Sequence, residues 1–131
     1  VAVIHPDLAT AGGIMETKKI GDLAQDQGIA MALHMAMTPV AAMASVHCAA
    51  ATENFLVLEN HSVDDLDRWS SLVEGLPRPL VQDGYIDVPD SPGLGFTGLN
   101  EEALESFSDD DELFAPTSTW DSELSSDSLW S

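Results

Sequence analysis

The stretch Ile29-Ala30-Met31-Ala32-Leu33-His34 places five apolar residues in a row before a histidine. Shorter apolar runs lie on both sides of it, at residues 1–4 and 55–58, and none of the three alternates with polar residues. Continuous apolar runs of this length are typical of parallel strands that are covered on both faces of their sheet. Each run is therefore predicted to be a buried strand.

The segment between the first two runs has a helical pattern over residues 14–27. Ile20, Leu23 and Ala24 would share one face of this helix, which predicts that they point toward the sheet. Gly28 stands where a helix C-terminus commonly needs a residue with positive φ. A helix that returns the chain from the first strand to the second is the expected connection between parallel strands.

Two further helices are predicted. One covers residues 39–51, with Thr38 supplying the N-terminal cap. The other follows the third run, with Ser62 as its cap and with Trp69 and Val73 on its apolar face. The order strand–helix thus occurs three times, which predicts an α/β fold with a parallel sheet, either open or closed into a barrel.

The pattern changes after Pro77. Residues 80–88 are predicted to form one or two short strands, and Asn100 is predicted to cap a short helix that ends near Phe107. The rest of the chain is acidic and rich in serine. We therefore divide the chain into three strand–helix units at residues 1–79 and a following segment with an acidic tail at residues 80–131.

The charge of the chain excludes several classes of partner. Its 131 residues contain 23 Asp and Glu against 4 Lys and Arg, a formal net charge of −19. Nucleic-acid binding requires a basic surface, and anionic membranes repel an acidic one, so neither partner is expected. Two explanations of the acidity stay open, which are a host with a salty cytoplasm and a partly disordered acidic tail.

The compartment can also be predicted. Cys48 is the only cysteine, so no internal disulfide can form and a reducing compartment is expected. Residues 29–52 carry no formal charge and are long enough to span a bilayer, but they contain two histidines and a proline. We interpret them as a buried strand and a buried helix. No secretory signal is recognisable, and a cytoplasmic location is expected.

An ionisable residue follows each apolar run. Asp7, His34 and Glu59 are separated by 27 and 25 residues, one strand–helix unit each. The carboxyl ends of parallel strands lie at the same edge of the sheet, where barrel enzymes place their active sites. Neighbouring strands lie about 4.8 Å apart, so Asp7 and His34 are expected to form a hydrogen bond.

This pair has the composition of a general acid–base. A carboxylate on one imidazole nitrogen fixes the tautomer and leaves the other nitrogen free to accept or donate a proton. Glu59, one strand further on, is suited to a hydrogen bond with a substrate oxygen. The alternative interpretation is structural, with Asp7 capping the following loop and His34 satisfied at the end of its strand. His5 is predicted to pack between layers, and His61 is a candidate contact for substrate.

Several motifs in combination resemble the mandelate racemase branch of the enolase superfamily, and within it the sugar-acid dehydratases of the galactonate and gluconate type. The similar residues are Pro6-Asp7-Leu8, Gly12-Gly13-Ile14, His34, Pro39, Ser45-Val46-His47, Leu58-Glu59 and, after the barrel, residues 89–95. The resemblance implies the C-terminal part of a (β/α)8-type barrel, followed by a segment that returns to a capping domain. It covers about residues 1–115.

The resemblance also implies roles for the residues at the strand ends. In that family a carboxylate-bound Mg²⁺ stabilises an enediolate while a base removes the proton beside the substrate carboxylate. Asp7 and His34 match the family's Asp–His dyad on strands six and seven, and Glu59 matches the glutamate on strand eight. The metal carboxylates of the family lie on earlier strands, so no magnesium ligand is expected in this chain.

The function implied is that of a magnesium-dependent hydro-lyase, which dehydrates an aldonic acid to a 2-keto-3-deoxy acid. The substrate would be a small sugar acid, and the parent protein is expected to be a homo-oligomer. The isolated chain is expected to be inactive. Two alternatives stay open, which are a racemase or epimerase that uses the same dyad and a non-catalytic remnant or acidic interaction module. The acidic excess is similar to that of homologues from extreme halophiles.

Overall fold

The computed structural model of the chain describes residues 1–61 and 66–107. Three parallel strands alternate with helices, and a shorter antiparallel pair follows. The elements in chain order are β1 (Val3–Ile4), α1 (Gly13–Asp26), β2 (Ala30–Leu33), α2 (Pro39–Ala50), β3 (Phe55–Leu58), α3 (Leu66–Ser70), β4 (Val73–Glu74), β5 (Gly98–Leu99) and α4 (Glu101–Phe107).

The sheet has the order β1-β2-β3, and both neighbouring pairs are parallel. The predicted α/β alternation is therefore confirmed. The central strand β2 is buried, with Met31 and Leu33 fully inaccessible. Val3 of β1 is 42% exposed, and Leu56 and Val57 of β3 are 61% and 51% exposed, so the prediction of a buried strand is wrong for both outer strands. In the described part of the chain each of them has a neighbouring strand on one side only, which leaves it less covered than β2.

Helix α1 ends as predicted but buries a different face. Gly28 has φ +66°, and its N–H donates to the Gln25 carbonyl at 2.9 Å while Ile29 donates to Ala24 at 2.9 Å, a Schellman motif. The predicted apolar face is wrong for Leu23, which is 68% exposed. The buried residues of α1 are instead the small ones at Thr17, Gly21 and Ala24.

Close packing explains this choice. A Cβ built at Gly21 would lie 2.7 Å from Cγ2 of Thr52 and 3.2 Å from the sulfur of Met31. These distances are shorter than van der Waals contact, so a larger side chain would push α1 away from β2 and from the end of α2. The small residues therefore let the helix approach the sheet closely.

Helix α2 follows the prediction. Thr38 has extended backbone angles and its hydroxyl accepts from the Ala41 N–H at 3.4 Å, with Pro39 at the first helical position. Nearly the whole helix is buried, and Ala42 and Met43 are fully inaccessible. None of the helices in the two described ranges combines the length and the apolar character that a bilayer crossing needs.

The region after β3 differs more from the prediction. Helix α3 covers Leu66–Ser70 within the described residues, and Val73 lies in β4 rather than on the helix, because it pairs with Leu99 of β5. Trp69 does pack inward and donates from Nε1 to the Met37 carbonyl at 2.8 Å. The predicted cap Ser62 lies outside the described residues.

Residues 80–107 contain turns and one capped helix. The short strands predicted at 80–88 are absent from this described segment, which has a single bridge between Gln82 and Tyr85. Asp83 and Gly84 close that bridge with φ angles of +51° and +83°, as in a type I′ turn. Asn100 caps α4 as predicted, accepting from the Ala103 N–H at 3.1 Å. The boundary near residue 79 stays a prediction, and the acidic tail from residue 108 lies outside the described residues.

Candidate active site

The backbone ladder of the sheet continues one step past the named strands and brings the predicted residues together. Val3 pairs with Ala30 and Ile4 with Met31, and the same offset reappears in an isolated parallel bridge between Asp7 and His34. On the other side, the Glu59 N–H donates to the Leu33 carbonyl at 2.9 Å. The three strand ends therefore lie side by side at one edge of the sheet.

An irregularity in the pairing aligns Glu59 with His34. Met31 pairs with Phe55 but Ala32 pairs with Val57, so Leu56 is an extra residue in β3. Without that extra residue, the position opposite His34 would be taken by Leu58. Because a shift of one residue exchanges the two faces of a strand, this bulge decides that a carboxylate rather than a leucine faces the histidine.

The carboxylate of Asp7 serves both roles that the sequence left open. Its Oδ1 accepts from the N–H groups of Ala9 at 2.8 Å and Thr10 at 3.3 Å, and its Oδ2 accepts from Nδ1 of His34 at 2.6 Å. Burial tends to raise the pKa of Asp7, but the hydrogen bonds from His34 and from these backbone N–H groups outweigh it and lower that pKa. Asp7 is thus an ionised carboxylate that fixes the His34 ring.

Glu59 is surrounded by imidazole rings. Its Oε1 accepts from Nε2 of His61 at 2.8 Å, its Oε2 accepts from Nε2 of His5 at 2.9 Å, and Nε2 of His34 lies 3.6 Å from Oε2. The pKa of Glu59 is lowered, first by the hydrogen bond from His61 and then by that from His5. The carboxylate therefore stays ionised in front of the free nitrogen of His34.

His5 belongs to this cluster, and its predicted packing between layers is wrong. Its side chain is 48% exposed, and its Nδ1 lies 2.8 Å from the Ala32 carbonyl while its Nε2 reaches Glu59. A carbonyl and an ionised carboxylate only accept hydrogen bonds. Both ring nitrogens of His5 therefore face hydrogen-bond acceptors, and the ring links β2 to Glu59.

The sequence contains a signal for His5 and His61 that goes beyond the three strand ends. In an extended chain, side chains two residues apart point to the same face. His5 stands two residues before Asp7, and His61 two residues after Glu59. The patterns His-x-Asp and Glu-x-His thus predict that both histidines share the face of the central pair.

His34 lies in the middle of the three rings. Its centroid is 5.4 Å from that of His5, with the planes nearly perpendicular, and 5.8 Å from that of His61. Its side chain is 34% exposed, whereas that of Asp7 behind it is 15% exposed. Part of the His34 ring is therefore accessible to solvent or a ligand, while the carboxylate that orients the ring is more protected.

The cluster does not have the ligands that magnesium prefers. Within the described residues, possible ligand atoms of His34, Glu59 and His61 all lie within 4.8 Å of one another. Two of the three are imidazole nitrogens, whereas Mg²⁺ is bound in proteins through oxygen. Asp7 is already engaged by His34 and by backbone N–H groups. The residues at this edge therefore do not fit a magnesium site.

Comparison with known proteins finds relatives that are sugar-acid dehydratases. The chain is 45% identical over 105 residues to D-xylonate dehydratase of Haloferax volcanii, an alignment covering 80% of this chain and 24% of that protein. It is 31% identical over 98 residues to D-galactonate dehydratase of Ralstonia pickettii, covering 72% of this chain and 26% of that protein. The chain thus spans about a quarter of the length of these curated relatives.

Solved structures agree with the fold. A mandelate racemase/muconate lactonizing enzyme-like protein from Rubrobacter xylanophilus has a TM-score of 0.74 and 38% identity, with 81% of this chain and 26% of that chain covered. A mandelate racemase/muconate lactonizing enzyme from Jannaschia has a TM-score of 0.72 and 34% identity, with 86% and 28% covered. The predicted fold class, part of an α/β barrel, is thereby confirmed.

The family model described as "Enolase C-terminal domain-like" matches residues 1–103, which include every residue of the cluster at the strand ends. The resemblance to the enolase superfamily and to its sugar-acid dehydratases is confirmed by this match and by the named relatives. The chain belongs to the enolase C-terminal domain-like family and is a homologue of sugar-acid dehydratases.

Proposed function

We propose that this chain supplies the acid–base part of the active site of a hydro-lyase, which converts an aldonic acid to a 2-keto-3-deoxy acid. The observation that carries the proposal is the hydrogen bond of 2.6 Å between Asp7 and Nδ1 of His34. It holds the ring so that the second nitrogen, Nε2, lies beside the Glu59 carboxylate, 3.6 Å from Oε2. The names of the relatives, dehydratases of xylonate and galactonate, support this class of substrate.

His34 is the proposed base. With its Nδ1–H donated to Asp7, Nε2 carries the lone pair that can accept the proton from C2 of the substrate. Asp7 stabilises the imidazolium that results, because its own pKa is lowered and it stays ionised. The electrons of the broken C2–H bond then form the C2–C3 double bond as the C3 hydroxyl takes up a proton and leaves as water. The resulting enol becomes the 2-keto acid by protonation at C3.

Glu59 is proposed to position the substrate. Its carboxylate is 36% exposed and lies beside Nε2 of His34, so a substrate hydroxyl that donates to Glu59 would place neighbouring carbons near the base. His5 and His61 orient this carboxylate from both sides, and His61 is a further candidate contact for substrate. The whole protein would depend on Mg²⁺, and the carboxylates that bind the ion would lie outside this chain.

An assay of the full-length protein tests the proposal. The protein would be incubated with Mg²⁺ and with xylonate, galactonate or gluconate, and the products separated and identified. The proposal predicts a 2-keto-3-deoxy acid from at least one of the three. Formation of the C2 epimer without loss of water would support a racemase or epimerase instead, and no reaction with any aldonic acid would contradict the substrate class.

A salty cytoplasm is the proposed setting. The net charge of −19 opposes compaction at low ionic strength, because repulsion between surface acids is screened only when salt is abundant. The similarity to a protein of Haloferax volcanii supports this setting. Circular dichroism of the chain should show more helix in molar KCl than in dilute buffer, and identical spectra in both would contradict a halophilic habit.

A further inference from the structure

The imidazole-rich cluster at the strand ends has a second chemical capacity. Nε2 of His61 lies 2.8 Å from Oε1 of Glu59, and Nε2 of His34 lies 3.6 Å from Oε2. Zinc bonds of about 2.0–2.2 Å place neighbouring ligand atoms of a tetrahedron about 3.3–3.6 Å apart. Small rotations of these half-exposed side chains are therefore enough to surround one ion.

Hydrogen bonds from neighbouring groups orient this cluster in the way that such bonds orient the ligands of bound metals. A metal-binding histidine commonly donates its remote N–H to a carboxylate or a backbone carbonyl, which fixes the tautomer and directs the other nitrogen at the ion. His34 has this arrangement, because its Nδ1 donates to Asp7 and its Nε2 faces Glu59. His5 contacts Oε2 of Glu59 at 2.9 Å and so restrains the carboxylate ligand.

The kind of ion follows from the ligands. Two imidazole nitrogens and one carboxylate, with a further position open to water, are the pattern of zinc sites and of related divalent transition metals. Magnesium prefers oxygen and dehydrates reluctantly. The only cysteine, Cys48, is buried, and burial raises the pKa of its thiol, so it does not compete for the ion.

We propose that His34, Glu59 and His61 form a binding site for zinc or a similar divalent transition metal, distinct in its ligands from a magnesium site. Because the metal takes the lone pair of Nε2 of His34, the bound ion and the free base exclude each other. The binding itself does not depend on the proposed dehydratase activity. In an active parent protein, zinc would therefore inhibit by occupying the base.

The test uses the 131-residue chain with Zn²⁺ alone, titrated in molar KCl at neutral pH by calorimetry. Co²⁺ serves as a visible-absorption probe of the same ligands. We expect one ion per chain and no stoichiometric binding of Mg²⁺ in the same titration. The His61→Gln variant removes one ligand from a side chain that is 56% exposed, and should weaken zinc binding by at least about 10–100-fold, the range reached even by changes behind the ligands.

His47→Gln is the matched control, because His47 lies on α2 outside the cluster. It should leave zinc affinity unchanged. Equal zinc affinity in the wild type and His61→Gln would show adventitious binding and overturn the site, as would a loss confined to His47→Gln. If the chain folds only when metal is bound, circular dichroism recorded during the same titration detects that folding. Zinc-induced folding that is lost in His61→Gln would support the site. If zinc neither binds to the chain nor induces its folding, the site is overturned.

Discussion

Residues 1–61 and residues 66–107 are both acidic, but they use their charged groups differently. All four histidines of the chain lie in the first region, and three of them meet Asp7 and Glu59 at the edge of the parallel sheet. In the second region the acids are spread over α3, β4, α4 and the loops between them. Acid content therefore does not mark a site, whereas the common ends of parallel strands do.

The second region is organised around packing. Leu80 is 4% exposed and packs, with Trp69, in a cluster that includes Met35 and Met43. Partly buried residues of the same region, Ile86, Leu94 and Phe96 among them, pack against this cluster. It thus covers the apolar surface formed by α2 and the segment before it. The comparison indicates that one region places chemical groups and the other supports the helix behind them.

Exchanging the central histidine should have the largest effect. In the full-length protein, His34→Asn keeps a similar size and one hydrogen bond but removes the titrating ring, and general acid–base catalysis contributes about 10²–10⁴-fold. We expect turnover to fall by at least that factor, with little change in the free energy of unfolding. The control is Asp87→Asn, an exposed acid of the second region. A similar loss of turnover in both variants would remove the distinction between the regions.

A cavity in the second region should affect stability rather than chemistry. Leu80→Ala removes a buried side chain, and such changes cost about 2–5 kcal/mol in the free energy of unfolding. Turnover per folded molecule should stay near the wild-type value. Val88→Ala, at a position that is 51% exposed, should change stability by less than about 0.5 kcal/mol. Denaturant titration measures both, and equal effects would contradict the assigned core.

The smallest expected effect is a change in acid sensitivity. The pKa of Asp7 is lowered from about 3.8 in the folded chain, so ionised Asp7 stabilises the fold at higher pH. That contribution is lost as the pH falls through the lower folded value. Asp7→Asn should therefore be less stable near neutral pH but lose less further stability between pH 5 and 2. Urea midpoints across this range would test it, and parallel curves would contradict the hydrogen-bonded carboxylate.

In the first region, the sequence correctly predicts one strand, one helix and the central pair of the site. The central strand, the cap and extent of α2, and the pairing of Asp7 with His34 all follow from apolar runs, from Thr38 and from constant strand–helix spacing. The strand and the helix follow from local signals. The pairing of Asp7 with His34 follows from one topological rule, that the carboxyl ends of parallel strands lie at the same edge of the sheet.

Other features depend on contacts that no local pattern records. The extra residue Leu56 in β3 appears only in the pairing with β2. The buried stripe of α1 uses Thr17 and Gly21 because the helix packs closely, so hydrophobicity pointed to Leu23 instead. Val73 leaves the helical pattern because Leu99, far along the chain, pairs with it. In each case tertiary packing outweighs the local preference.

Exchange of the substrate C2 proton with solvent deuterium tests the central claim most directly, since it reports proton removal alone rather than the whole reaction. The full-length protein would be incubated with its aldonic acid in D₂O, and deuterium at C2 of recovered substrate measured by mass spectrometry or NMR. We predict exchange in the wild type and in Asp87→Asn, and its disappearance in His34→Asn. Exchange in His34→Asn at a rate near that of the wild type would show that another residue is the base.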